Sequence, residues 1–129
     1  KSRRLSTAQD DTPYDRLRGN TGGYLYPLAV QPALAATTPL FRRANSMGAS
    51  LHEYRMLVLG GSDFCLNGML NVWDHAAGVL ILQEAGGVSR LLDGSEYHPT
   101  MTEGRLLNAR SEGMWQQLAT TFNTALGDA

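Results

Sequence analysis

Cysteine is almost missing from this chain. Cys65, the only one, excludes an internal disulfide, fits an apolar run as a small buried side chain, and points to a cytoplasmic setting rather than a secreted one. Net charge is almost missing too. At −1 it supplies no reason to expect a nucleic acid or an anionic membrane as partner. No uninterrupted apolar segment approaches the length that crosses a bilayer, and Lys1-Ser2-Arg3-Arg4 is not followed by the apolar core of a signal peptide. The histidines, His52, His75 and His98, lack the Cys/His spacing of a zinc site. Internal repeats and low-complexity segments are absent. What is present, 129 residues with 43% hydrophobic and 18% charged content, is ordinary globular composition, so one α/β domain over 1–129 with a real core is expected.

Arg3 to Thr7 reads as a strand, followed by the polar loop Gln9-Asp10-Asp11-Thr12-Pro13. Leu17 to Leu25 reads as a short strand, because Gly19, Gly22 and Gly23 interrupt it. Gln31 to Arg43 predicts a helix of two or three turns ending before Pro39. Ser50-Leu51-His52-Glu53 matches a capping box, placing a helix start at Leu51, and Gly60-Gly61 can end that helix. Asp63 to Leu66 reads as a strand. Ala76 to Ala85 reads as a helix buried on most of its surface, stopped by Gly86-Gly87. Val88 to Leu92 and Arg105 to Ala109 read as strands after which Ser111 caps a helix carrying Trp115, Leu118, Phe122 and Leu126. Helices and strands alternate from Ser50 onward, so a layered α/β domain follows, with ligands at strand ends and helix starts.

Asp74 opens the apolar stretch after Trp73, and two readings fit it. A carboxylate at a helix start accepts backbone N–H bonds and favours the positive end of the dipole, together worth about 1 kcal/mol. The same carboxylate could bind a hard divalent cation beside a phosphate attracted to that helix end. The wider wording is more specific. Trp73-Asp74-His75-Ala76-Ala77-Gly78, followed by Glu84-Ala85-Gly86-Gly87, resembles the C-terminal signature of the inositol monophosphatase family. Gly48-Ala49-Ser50, a helix and Gly60-Gly61-Ser62-Asp63 resemble the family's preceding segment in the same order.

That resemblance implies a mixed β-sheet flanked by helices, like the C-terminal domain of the inositol monophosphatase and fructose-1,6-bisphosphatase fold. It also implies magnesium-dependent hydrolysis of a small phosphorylated substrate by a metal-activated water, with Asp74 as one metal ligand and Ala49, Ser50 and Asn67 lining the substrate pocket. Asn67 stands where inositol-specific members carry a glutamate, and it is equally readable as a polar strand-end residue; Ser50 is equally readable as a cap alone. The family's upstream Glu-Glu and Asp-Pro-Ile/Leu-Asp-Gly-Thr motifs have no counterpart. Asp93-Gly94-Ser95 reads as a turn, and Asp10-Asp11-Thr12-Pro13 as a loop. The chain therefore looks like the C-terminal half of such a phosphatase, with little activity alone, an N-terminal half as partner, and self-association as a homodimer if apolar surface is left uncovered. A noncatalytic α/β interaction module that keeps the fold is the competing class. Cys65 is expected in the core rather than as a nucleophile and Trp73 as a packing anchor; none of the three histidines is expected to be functional, and His75, just after Asp74, is the one that could touch substrate or a neighbouring loop.

Overall fold

The computed structural model describes residues 6–9, 12–21, 26–45, 50–70 and 72–127, with backbone alone at 45, 50, 51, 69 and 72–74. Strands β1 (Arg18–Asn20), β2 (Arg43–Asn45), β3 (Phe64–Met69), β4 (Val88–Leu91) and β5 (Glu103–Ala109) form one sheet in the order β2-β1-β3-β5-β4. β1 pairs in parallel with β2 and β3, while β5 is antiparallel to β3 and β4. Four strands thus share one direction and β5 opposes them. The helices are α1 (Gln31–Ala35), α2 (Ser50–Leu59), α3 (Val72–Glu84) and α4 (Glu112–Leu126).

Alternation along the strands sorts the helices onto the two faces. Phe64 and Leu66 of β3, with Leu107 and Ala109 of β5, pack against Leu34 of α1 and Trp115, Leu118 and Phe122 of α4. Cys65 and Leu106 point the other way, onto Tyr54, Leu57 and Val58 of α2 and Val79 and Leu82 of α3. The register Phe64↔Ala109, Cys65↔Asn108, Leu66↔Leu107 keeps each pair on one face. The result is a helix–sheet–helix sandwich, the expected layered α/β class.

Local chemistry places the element ends. Ser111 Oγ accepts from the Met114 N–H at 3.3 Å and caps α4, as its position predicts. α3 stops because Gly86 takes φ +100°, which lets the Gly87 N–H reach Leu82 O at 2.9 Å and the Gly86 N–H reach Gln83 O at 3.0 Å. Gly60 ends α2 in the same way, with the Gly61 N–H on Met56 O at 2.8 Å.

Several expectations shift. Of the strand read over Arg3–Thr7, residues 3–5 lie outside the described residues, while Ser6 and Thr7 belong to no strand; Thr7 instead donates its N–H to Ala85 O at 2.8 Å. The strand read over Leu17–Leu25 is β1, and 22–25 lie outside the described residues. The Gln31–Arg43 helix is shorter: α1 ends at Ala35, a single 3-10 turn spans Thr38–Leu40, and Arg43–Asn45 is strand β2. Pro39 has no N–H to donate to Ala35 O, so the α-helical ladder cannot continue through it and only a 3-10 turn follows, and three residues are too few to show a two-residue period. β3 continues through Asn67-Gly68 to Met69 because β5 offers a ladder there, with a register irregularity between Asn67 and Met69. α3 begins at Val72, ahead of Ala76, and is not buried on most of its surface: Leu80 and Ile81 are 59% and 49% exposed. Among the described residues no helix is long and apolar enough to cross a membrane.

Candidate active site

The sheet reverses its winding between β1 and β3. From β1 the chain passes through α1, on the Trp115 face, to β2 at one edge; from β3 it passes through α3, on the opposite face, to β4 at the other edge. At such a switch point the carboxyl ends of the strands open a crevice for ligands. Asn67 lies near the carboxyl end of β3, and Asp74 is the third residue of α3. α2, which starts at Ser50, follows the carboxyl end of β2. The fold therefore brings Ser50, Asn67 and Asp74 to one rim of the sheet, with two helix N-termini whose positive ends favour anions. Ala49 lies outside the described residues, as do the side chains of Ser50, Trp73 and Asp74. Asp74 sits inside the first turn of α3 rather than flanking it, so the helix-cap reading becomes a first-turn dipole interaction.

Beneath this rim lies a buried polar layer between the sheet and the α2/α3 pair. Tyr54 Oη and His75 Nδ1 share a hydrogen bond of 2.9 Å, and Asn108 Nδ2 donates to Tyr54 Oη at 3.2 Å. Ser89 Oγ donates to Asn108 Oδ1 at 2.5 Å. A second chain runs alongside: Asn67 Nδ2 donates to Cys65 Sγ at 3.1 Å, and Cys65 Sγ donates to Glu53 Oε1 at 3.3 Å. Gly78 makes the first chain possible. A Cβ there would lie 2.3 Å from the Tyr54 ring, so the glycine of Trp-Asp-His-Ala-Ala-Gly lets Tyr54 cross α3 and reach His75 one turn earlier.

Burial, and then the Glu53 carboxylate, push the Cys65 thiol well above its ordinary value. It lies in the core, as expected, and donates to Glu53 there. His75 is 2% exposed and meets Tyr54 edge-on, inside the core. His52 and His98 are exposed. The sequence reading missed the polar layer altogether, although Cys65 and Asn67, two apart in an otherwise apolar strand, were its visible trace. It also missed Tyr26, which is buried with its ring against Gly68 and whose hydroxyl has no hydrogen-bond partner among the described residues.

Among the described residues no group of three or more His, Cys, Asp or Glu converges in a way that could hold a metal ion. Asp74 is the carboxylate that the sequence signature singles out at this rim, and its side chain lies outside the described residues. One carboxylate fits a magnesium ion that keeps much of its water and takes further oxygens from phosphate or from another segment.

An α/β sandwich whose sheet reverses its winding at a switch point defines the architectural class, and comparison narrows it. The family model described as the inositol monophosphatase family matches residues 27–127, and the chain belongs to that family. Among solved structures it is similar to an inositol monophosphatase from Zymomonas mobilis (TM-score 0.79, 19% identity, 92% of this chain and 46% of that one). It is also similar to the Thermotoga maritima IMPase (0.76, 19%, 95% and 46%). A third similar structure is staphylococcal IMPase-II with inositol monophosphate bound (0.75, 20%, 92% and 46%), a protein also solved with 2′-AMP bound. No curated protein matches significantly by sequence. The chain spans about half the length of the structures it resembles.

Proposed function

We propose that this chain is the C-terminal part of a magnesium-dependent phosphomonoesterase acting on a small sugar, polyol or nucleotide phosphate. The observation that carries the reading is the place of Asp74: first turn of α3, at the carboxyl end of β3, inside the family signature and at the switch point. Asp74 would hold magnesium together with carboxylates from a companion N-terminal half, and Ala49, Ser50 and Asn67 would face the alcohol portion of the substrate. Magnesium bound there lowers the pKa of a water and neutralises phosphate charge. This chain's own part is to present one carboxylate from a rigid helix and two helix N-termini toward the phosphate. The Tyr54–His75 bond ties α3 to α2 next to Asp74 and would keep that carboxylate in place. Asn67, with its amide nitrogen on Cys65, would offer hydrogen bonding without charge, which suits a neutral hydroxyl.

The companion half is supported by length and by surface. The chain covers 46% of similar structures, and α3 leaves Leu80 and Ile81 exposed, residues that a further layer would cover. In the intact protein, magnesium-dependent phosphate release from inositol 1-phosphate or 2′-AMP is expected to fall roughly 100-fold in Asp74→Asn, about 2.7 kcal/mol of transition-state stabilisation, with the circular dichroism spectrum unchanged. Undiminished turnover in that variant would remove the assignment. Titration calorimetry on the isolated chain should find only weak magnesium binding, and a tight site would argue that no companion half is needed.

A further inference from the structure

The rim opposite Asp74 carries a second feature, which the phosphatase reading does not use. At the amino ends of the parallel strands a cleft of about 490 Å³ has, among the described residues that line it, five of the chain's eleven basic residues and one aspartate. Arg18 opens β1, Arg43 opens β2 beside Arg42, Arg16 ends the turn before β1, and Arg110 follows β5. β3 separates the two rims; its six residues span roughly 17–20 Å at ~3.3 Å per residue.

The floor of this cleft is held together internally by one carboxylate shared between two arginines. Asp63 accepts Arg110 Nε at 2.9 Å on one oxygen and the Arg18 N–H at 2.8 Å on the other, with Arg18 Nε 3.7 Å away. Arg110 is 4% exposed and also donates to Ala8 O and Thr12 Oγ1, so it acts as scaffold. The wall is different. Arg16, Arg42 and Arg43 are exposed, and among the described residues no carboxylate pairs with them. Both the Arg42 and Arg43 N–H groups bond Leu17 O, at 2.9 and 3.3 Å, which fixes the wall to the strand leading into β1. The chain's net charge of −1 conceals this asymmetry.

We propose that the cleft is a binding site for a small oligophosphate anion, separate from the Asp74 rim. Three guanidinium forks over a pre-paired floor match phosphate oxygens in bidentate fashion, and the volume is that of a small-molecule site rather than a flat macromolecular surface. The occupant requires more than one phosphate group, because a single dianion leaves part of the wall charge uncompensated.

Titration of the 129-residue chain with tripolyphosphate at constant ionic strength tests this. Saturable one-to-one binding is expected. It should weaken roughly tenfold or more in the Arg42→Ala/Arg43→Ala double variant, recover in part in Arg42→Lys/Arg43→Lys, and stay unchanged in Asp74→Asn. Thermal unfolding of each variant confirms that the fold persists, which is expected since both side chains are exposed. Absence of saturation, equal binding by the alanine variant, or loss of binding in Asp74→Asn overturns the proposal. So does a single-stranded RNA that binds more tightly than tripolyphosphate and is not displaced by it, because the cleft would then be a nucleic-acid contact.

Discussion

The two faces of the sheet are built from different materials. On the α1/α4 side Phe41, Phe64 and Phe122 stack with ring centroids 4.8 to 6.0 Å apart, and Trp115 adds its ring with Nε1–H donating to Leu107 O at 2.9 Å. On the α2/α3 side the apolar packing is threaded by Glu53, Tyr54, Cys65, Asn67, His75, Ser89 and Asn108. An aromatic cluster gains most of its stability from buried area and dispersion, with a smaller share from tilted ring contacts. A buried hydrogen-bond chain gains little net stability per bond but has one acceptable geometry, since each unmet group is costly. The face that carries the signature helix is thus the one whose packing is directional.

That contrast can be broken from either side. The largest effect is expected at Phe64, fully buried against Phe41 and Phe122: Phe64→Ala should cost about 3–5 kcal/mol in urea unfolding. A loss below about 1 kcal/mol would deny the α4 face its stabilising role. Next comes Tyr54→Phe, which keeps the ring over Gly78 but strips partners from His75 and Asn108; about 1–3 kcal/mol is expected. If the intact protein is the proposed phosphatase, the same variant should lower kcat more than it raises KM, whereas Phe64→Ala should leave the turnover of its folded fraction close to normal.

The smallest effect is a slope. Cys65 and Tyr54 both have pKa values raised by burial, so the native state holds their protons after the unfolded chain has lost them. Stability should be level from neutral pH to about pH 8.5 and fall as pH rises past the unfolded thiol's value, then past the unfolded phenol's. Urea midpoints at neutral and alkaline pH check this, and Cys65→Ala should delay the decline into the tyrosine range. A decline in that variant with the same onset would mean that the polar face does not cause it.

Much of the architecture was legible in the residues because the responsible signals are local. Ser111, Gly60 and Gly86 mark helix ends by their own backbone chemistry, and α4 shows its stripe of Trp115, Leu118 and Phe122 at helical spacing. β2 was hidden because a three-residue strand has no period to read. The exposure of Leu80 and Ile81 was hidden because a continuous apolar run does not say which side meets the sheet. His75 follows Asp74 directly in sequence, within reach of a substrate or a neighbouring loop on that reading, yet lies in the core, since helical geometry turns neighbouring side chains about 100° apart.

The amino-acid order by itself determined the layered α/β class, the helix boundaries set by capping and glycine, and the family signature around Asp74, all of which depend on residues close together along the chain. Tertiary structure alone decided that Asn67, Asp74 and the start of α2 share one rim while Arg16, Arg18, Arg42, Arg43 and Arg110 share the other. That sorting follows from strand direction and register, which pair Gly19 with Phe64 and Phe64 with Ala109, and such long-range hydrogen bonding leaves no periodic trace in the sequence.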